Sequence, residues 1–316
     1  MHSQRKILFI DRSHPYLPQR LTELGFLCET AYDLSKAAIE DKLPEYFGVI
    51  LRSRINIDSE FINANTDLAF VAREGVGVEH IDVDYAESKG IRVIISPEGS
   101  RDTVGEHALG LLLCLLNNLS RADAQVRRGE WIREGNRAIE IKGKTVGILG
   151  YGNMGSAFAQ RLAGFNARVI AYDKYKEDYG DTYAKAVSLD TLFTETDILS
   201  IHIPYDEINH HFINDDFLNS FQKPVFVVNT ARGLVLNTAD LVQHMKVGKV
   251  RGAALDVLEY EESSFEQIAF NDLPAPFQYL RQAENVVLSP HIAGWSFESK
   301  LGHGQVLAGK IEDLFC

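Results

Sequence analysis

Val146-Gly147-Ile148-Leu149-Gly150-Tyr151-Gly152-Asn153-Met154-Gly155 is the stretch whose reading decides the fold. An apolar run leads into it and a helical pattern over 157–163 leads out. Gly150, Gly152 and Gly155 fall at the G-x-G-x-x-G spacing of a strand–turn–helix that cradles a dinucleotide. Gly150 is expected to make the tight turn and Gly152 to let the backbone approach a pyrophosphate. Gly155 lets helix and strand pack closely, and the helix N-terminus offers unpaired N–H groups to the phosphates. Asp173 ends a second apolar run about 20 residues further on, where a carboxylate accepts the ribose hydroxyls and repels a 2′-phosphate. NAD is therefore expected over NADP, with Lys174 beside Asp173 tempering the preference.

Reading outward, strand-like runs at 145–149, 168–172, 198–202, 225–229, 252–256 and 285–289 alternate with helical patterns. An earlier series has runs at 6–10, 48–52, 68–71 and 92–95, with a helix over 18–24 that stops at Gly25. Strands alternating with helices predict α/β architecture with parallel sheets. The 103–120 stretch is apolar nearly all round, so it is expected as one helix buried at a domain junction or subunit interface. Residues 121–133 read as a second, charged helix that leads into a loop, and 297–315 reads as a terminal helix. There is no solenoid repeat and no low-complexity tract.

The 316 residues suit two domains. With 32 Lys+Arg against 44 Asp+Glu, a net charge of −12 argues against a protein that neutralises nucleic-acid phosphates. The apolar run 108–116 is shorter than the ~20 residues of a membrane helix, and the N-terminus has no secretory h-region. Cys28, Cys114 and Cys316 are odd in number and dispersed, so a reduced cytoplasmic protein is expected. His202, His210 and His211 have no metal-pair spacing, and no metal is expected.

Three polar residues fall just past predicted strands, where open α/β sheets bind ligands. Arg232 follows Val225–Ala231, Glu261 follows Asp256, and His291 follows Ser289-Pro290. Reduction of a 2-keto acid needs a carboxylate clamp, a polarised carbonyl and a proton donor. Arginine suits the first two and histidine the third, with a carboxylate to orient the imidazole. Each residue also has an ordinary reading: a turn arginine, part of the acidic run Glu259, Glu261, Glu262, and a loop histidine.

Taken in order, Arg73-Glu74-Gly75-Val76-Gly77-Val78-Glu79-His80-Ile81-Asp82, Val104-Gly105-Glu106-His107-Ala108-Leu109, the Gly150–Gly155 loop, Asn229-Thr230-Ala231-Arg232-Gly233, Gly252–Asp256 and Ser289-Pro290-His291-Ile292-Ala293-Gly294 resemble the D-isomer-specific 2-hydroxyacid dehydrogenase family over essentially the whole chain. The resemblance implies two Rossmann-like doubly wound parallel-sheet domains with the active site in a cleft between them. Residues 1–100 and 295–316 would form the substrate-binding domain and 101–294 the NAD-binding domain, with hinge closure excluding water. It implies Arg232 as the substrate clamp, His291 as the acid/base and Glu261 as its partner. The backbone of Val76 and Gly77 would grip the substrate carboxylate. Asn153, Met154, Asp173, Ile203, Thr230, Ala231 and Asp256 would line the NAD site, with Gly294 near the nicotinamide. Relatives pair through the NAD domain, so a homodimer is expected, with 103–120 as the contact. Glu262 stands where the family usually has proline, and 263–284 is an insertion carrying Phe265, Phe270, Phe277 and Tyr279. Glu259 and Glu262 are therefore rivals of Glu261.

Arg52-Ser53-Arg54 follows a predicted strand and reads either as a second anion site or as a solvated turn. Similar Arg-Ser pairs occur in D-3-phosphoglycerate dehydrogenases. The expected reaction is therefore oxidation of 3-phosphoglycerate to 3-phosphohydroxypyruvate, the entry to serine synthesis. A glyoxylate/hydroxypyruvate reductase is the alternative within the class, and an NAD-sensing corepressor the alternative outside it. The length leaves no room for the serine-sensing domain of longer relatives, so that feedback is not expected.

Overall fold

The computed structural model describes residues 5–65, 67–261 and 273–316. By its internal contacts the chain divides into Met1–Ser100 with Trp295–Cys316, and Arg101–Gly294.

The first unit holds β1 (Lys6–Phe9), α1 (Tyr16–Glu23), β2 (Leu27–Thr30), α2 (Lys36–Lys42), β3 (Gly48–Leu51), α3 (Ser59–Asn63), β4 (Phe70–Arg73), α4 (Val83–Ser88) and β5 (Arg92–Ile95). Its parallel sheet has the order β2-β1-β3-β4-β5. The inner strands β1, β3 and β4 are largely apolar because both faces are covered. Leu8, Ile10, Val49, Leu51 and Val71 pack with Ile39, Phe61 and Ile62 on one face. Ile7, Phe9, Ile50, Phe70 and Ala72 pack with Leu17 and Leu21 on the other, where Leu307, Ala308 and Ile311 of the C-terminal helix join them.

The second unit contains α5 (Arg101–Leu116), α6 (Leu119–Arg127), β6 (Thr145–Leu149), α7 (Asn153–Arg161), β7 (Arg168–Tyr172), β8 (Lys185–Ala186), α8 (Leu189–Glu195), β9 (Ile198–Ile201), α9 (Asp215–Ser220), β10 (Val225–Asn229), α10 (Thr238–Lys246), β11 (Val250–Leu255), α11 (Ala275–Gln282) and β12 (Val286–Leu288). The helix α12 (Phe297–Phe315) closes the chain in the first unit. The second sheet runs β12-β11-β10-β9-β6-β7-β8, all parallel. Alternate residues serve opposite faces. Val225 and Val227 face α9 and α10 residues, whereas Phe226 and Val228 face Leu111, Leu112 and Leu115 of α5.

The two doubly wound parallel sheets agree with the predicted fold class, with two exceptions of detail. The edge strands β2 and β8 were not anticipated: Leu-Cys-Glu-Thr and Lys-Ala are partly exposed and lack an apolar run. The 103–120 stretch is not one helix, because Asn118 takes a left-handed φ of 55° between α5 and α6. Asparagine tolerates that conformation better than most residues. The leucines of α5 are buried by the unit's own sheet and by α7, where a Cβ on Gly105 would stand 2.9 Å from the Ala157 carbonyl. Among the described residues no helix is long and apolar enough to cross a membrane.

Candidate active site

Register organises the second unit's site. Tyr172 pairs with Leu149, Leu149 with Ile201, Ile201 with Asn229, Asn229 with Leu255, and Leu255 with Leu288. Every loop singled out in this unit therefore leaves the sheet from one row, at its carboxyl edge. Asp173, Gly150, Ile203, Thr230–Arg232, Asp256 and Ser289–His291 all follow that row.

At the dinucleotide turn, Gly150 has φ +91°, and a Cβ there would stand 2.7 Å from the His202 carbonyl and 3.0 Å from the Ile203 side chain. A Cβ on Gly155 would lie 2.2 Å from the Gly150 carbonyl, so both positions require glycine. Gly152 faces open space and caps α7 with no side chain, leaving the amides of Asn153 and Met154 in the first turn. A pocket of about 650 Å³ opens there, lined by Tyr151, Gly152, Asn153, Ser156, Lys176 and Tyr179. The Asp173 carboxylate accepts from the Tyr151 amide at 2.8 Å and the Tyr175 amide at 3.0 Å. Each oxygen keeps acceptor capacity for a ribose hydroxyl. The Thr230 hydroxyl is buried with no hydrogen-bond partner among the described residues, as a cofactor-facing group would be before its ligand binds. An open glycine cradle, a helix N-terminus and this orphaned hydroxyl fit NAD. Lys176, whose ammonium donates to the Tyr151 carbonyl at 2.9 Å, lies in no motif, and sequence reasoning missed it. Lys174 instead stands 5.5 Å from the Tyr175 ring centre.

Next along the edge, the Asn229 side chain accepts from the Ala231 amide and donates to the Arg232 carbonyl, fixing the turn that presents Arg232. Arg232 Nη1 donates to the Ala231 carbonyl at 2.8 Å. Gly233 packs directly on the next loop: a Cβ there would be 2.0 Å from the Leu258 carbonyl. In that loop Glu261 turns back, one carboxylate oxygen accepting from the Leu258 amide and the other 2.6 Å from His291 Nδ1. Glu259 is held elsewhere, with His211 Nε2 at 3.1 Å and the Thr238 amide at 2.8 Å. Glu262, Phe265 and Phe270 lie outside the described residues. Phe277 is buried in edge contact with Tyr260, and Tyr279 packs on the unit's core.

His291 adopts a left-handed φ of 54°. Asp256, 1% exposed, anchors its loop. Its carboxylate accepts from the Ser289 hydroxyl at 2.6 Å, the Ile292 amide at 3.0 Å and the Ala293 amide at 2.7 Å, and its carbonyl accepts from the His291 amide at 2.7 Å. His107 Nε2 stands 3.3 Å from the same carboxylate and 3.2 Å from Ser289 Oγ. Burial works to raise the Asp256 pKa, but these hydrogen bonds outweigh it and hold the group below its ordinary value. His107 belongs to the Val104–Leu109 stretch, whose residue types and spacing assign it no role. Gly294 ends the loop. Among the described residues no group of His, Cys, Asp and Glu forms a metal site.

The first unit has its own carboxyl edge, where Leu51 pairs with Arg73 and Arg73 with Ile95. Arg52–Arg54 and Glu74–Gly77 leave from this row. Gly75 is pinned by Ser96, whose hydroxyl accepts its amide at 3.0 Å, and Val76 and Gly77 follow. Arg54 is spent on the fold. It donates to Asp11 at 3.2 Å and to the carbonyls of Leu34, Ile10 and Ala31 at 2.8 to 3.0 Å. Arg52 lies 4.5 Å over the Trp295 ring, and its amide donates to Asp11 at 2.6 Å. Ser53 sits between them.

The D-isomer specific 2-hydroxyacid dehydrogenase NAD-binding domain matches residues 109–293. A hydroxypyruvate reductase of Thermotoga maritima is 34% identical over 89% of this chain and 89% of its own. A D-3-phosphoglycerate dehydrogenase of Archaeoglobus fulgidus is 33% identical over 92% of this chain, which spans only 53% of that relative's length. A D-lactate dehydrogenase of Aquifex aeolicus, solved with NAD and lactic acid, superposes with a TM-score of 0.81 at 25% identity, covering 98% of this chain and 94% of its own. The chain belongs to the D-isomer specific 2-hydroxyacid dehydrogenase family of NAD-dependent oxidoreductases.

Proposed function

We propose that the protein interconverts a small D-2-hydroxy acid and its 2-keto acid with NAD. The observation that carries this reading is the 2.6 Å contact between His291 Nδ1 and Glu261, at the same sheet edge as Arg232 and the dinucleotide turn. With Nδ1–H held by the carboxylate, Nε2 is the nitrogen that gives a proton to the forming alkoxide, and Glu261 stabilises the imidazolium. Arg232 clamps the substrate carboxylate and polarises the carbonyl. Bound nicotinamide supplies the hydride in reduction and receives it in oxidation. His291→Ala and Arg232→Ala should each cut NADH-linked turnover of a 2-keto acid panel by orders of magnitude while sparing NADH binding. Full activity in either variant removes that residue from the mechanism. Negligible wild-type turnover across the panel, with tight NADH binding, would favour an NAD-sensing corepressor.

For the substrate, the commitment of Arg54 to backbone carbonyls supports an unphosphorylated keto acid of the glyoxylate or hydroxypyruvate kind. Oxidation of 3-phosphoglycerate, the first step of serine biosynthesis, is the second reading, supported by Arg52 and by the likeness to D-3-phosphoglycerate dehydrogenases. We place the enzyme in the cytoplasm, where its free cysteines stay reduced. A homodimer through the NAD-binding unit is the proposed assembly. Its support is the exposed apolar surface of Leu119, Val126, Trp131 and Ile132, with Trp131 80% exposed.

A further inference from the structure

His107 is the one polar side chain by which α5 reaches the carboxylate anchoring the His291 loop. The helix itself is firmly seated, its leucines packing in one cluster with Ala254 of β11 and Val287 of β12. His107 Nε2 stands 3.3 Å from Asp256 Oδ1 and 3.2 Å from Ser289 Oγ. The Ser289 hydroxyl gives its one proton to Asp256 at 2.6 Å, so toward His107 it only accepts, as the carboxylate does. Both contacts therefore draw on a single Nε2–H, which places the proton on that nitrogen. Asp256 is buried, and among the described residues His107 is the one basic side chain in ion-pair reach of it. Burial acts most strongly on the Asp256 pKa, raising it, and the bond from His107 is the strongest of those that pull it back.

His291 needs such support. Its left-handed backbone is sparsely populated for a residue with a side chain and persists only where the surroundings hold it. The Ile292 and Ala293 amides tie the loop to the Asp256 carboxylate from one side. His107 meets that carboxylate and Ser289 from the side of the helix. We propose that His107 is a positioning residue for His291: its shared Nε2–H fastens the Asp256–Ser289 pair, and through it the loop, to α5. All of these residues belong to the second unit. The link to catalysis rests on the acid/base reading of His291 above; the fastening itself does not.

The test compares the wild type with His107→Leu, which removes the donor, and His107→Gln, whose amide N–H can reach the same acceptors. Amide hydrogen exchange is followed in the unliganded protein, and kcat and KM are measured with NADH and hydroxypyruvate. Titration with ADP-ribose, which lacks the nicotinamide, checks the fold of the mutated unit, because the dinucleotide turn lies in that unit. In His107→Leu the 291–293 amides should exchange about tenfold faster or more, while the Leu111 and Leu112 amides of α5 keep the wild-type rate. The kcat should fall by about tenfold to a hundredfold, with KM for NADH within about twofold of wild type. His107→Gln should bring both exchange and kcat back to within about threefold of wild type. If His107→Leu does not bind ADP-ribose, His107→Asn replaces it, being polar but too short to place a donor at the Nε2 position. Wild-type exchange at 291–293 in the donor-free variant overturns the proposal. So does loosening of α5 and the loop together with no rescue by glutamine, which is the mark of a packing role. A wild type that reduces no 2-keto acid removes the acid/base reading and leaves the exchange comparison to decide the fastening alone.

Discussion

His291 Nδ1 lies 2.6 Å from a Glu261 carboxylate oxygen across a separation of 30 residues, and each partner is held from a different loop. Glu261 is fixed by the Leu258 amide, and His291 by the Asp256 carbonyl. The pair is thus aligned by backbone contacts before any substrate arrives, which is the preorganisation an acid/base pair requires.

Glu261→Gln keeps the shape of the pair and removes the charge opposite the imidazolium. Turnover of the keto acid should fall by about 10²- to 10⁴-fold, with NADH affinity unchanged. Steady-state kinetics and NADH fluorescence titration check this. A kcat near wild type would dismiss the pairing as structural.

Asp256→Asn removes a buried charge that receives three hydrogen bonds from the His291 loop. The loss of stability at pH 7 should be about 2–4 kcal/mol. Because the folded-state pKa is depressed, the stabilisation is present above the unfolded value of about 4 and is lost as pH falls through the folded one. Urea unfolding should therefore separate wild type and variant widely at pH 7 and progressively less below pH ~4.

Gly155→Ala places a Cβ 2.2 Å from the Gly150 carbonyl. The turn must open, at a cost of about 1–3 kcal/mol, and NADH affinity should fall by about tenfold or more. An unchanged dissociation constant would show that the glycine loop tolerates the strain without affecting the cofactor.

Glu74→Gln should stabilise the protein, and only at higher pH. The wild-type carboxyl binds its proton more tightly when folded, at a pKa of about 7 against an ordinary 4.5. The folded state thus loses stability as pH rises between those values, by up to about 3 kcal/mol. The neighbouring charges Arg52, Lys300 and Asp11 are present in both proteins. Thermal melts at pH 5 and pH 8 should show the variant gaining on wild type only at pH 8.

Trp131→Glu puts a charge on the exposed apolar surface at the end of α6. If that surface pairs two copies, gel filtration should show a shift from dimer to monomer, with dissociation favoured by several kcal/mol at a desolvated aromatic anchor, about 2–4 kcal/mol. A wild type that already elutes as a monomer sinks the assembly.

The elements legible in sequence were those buried on both faces. Strands β1, β3, β6, β9 and β10 read as apolar runs because parallel strands are covered by helices above and below. The edge strands β2 and β8 escaped notice because half-exposed strands need no such run. The break between the two helices α5 and α6 reads a few residues late, after 120, because leucines continue across Asn118, and only its φ of 55° places the turn. In the site, motif order picked out Arg232, Glu261 and His291, yet the acidic run left Glu259 and Glu262 as rivals of Glu261. Nothing short of packing showed that His211 and Thr238 occupy Glu259.

The sequence by itself determined the chemistry available to this protein: a glycine turn where no side chain fits, a carboxylate after the next strand, and an arginine, a glutamate and a histidine after later ones. Those are local matters of residue type and spacing. Only the tertiary structure decided which side chains are spent and which remain for a ligand. Register brought the loops to one sheet edge, Arg54 went to backbone carbonyls and Arg52 to Trp295, and Glu74 was buried with an oxygen unmet. Hydrogen-bond satisfaction and burial depend on residues far apart in the chain, and no reading of local pattern contains them.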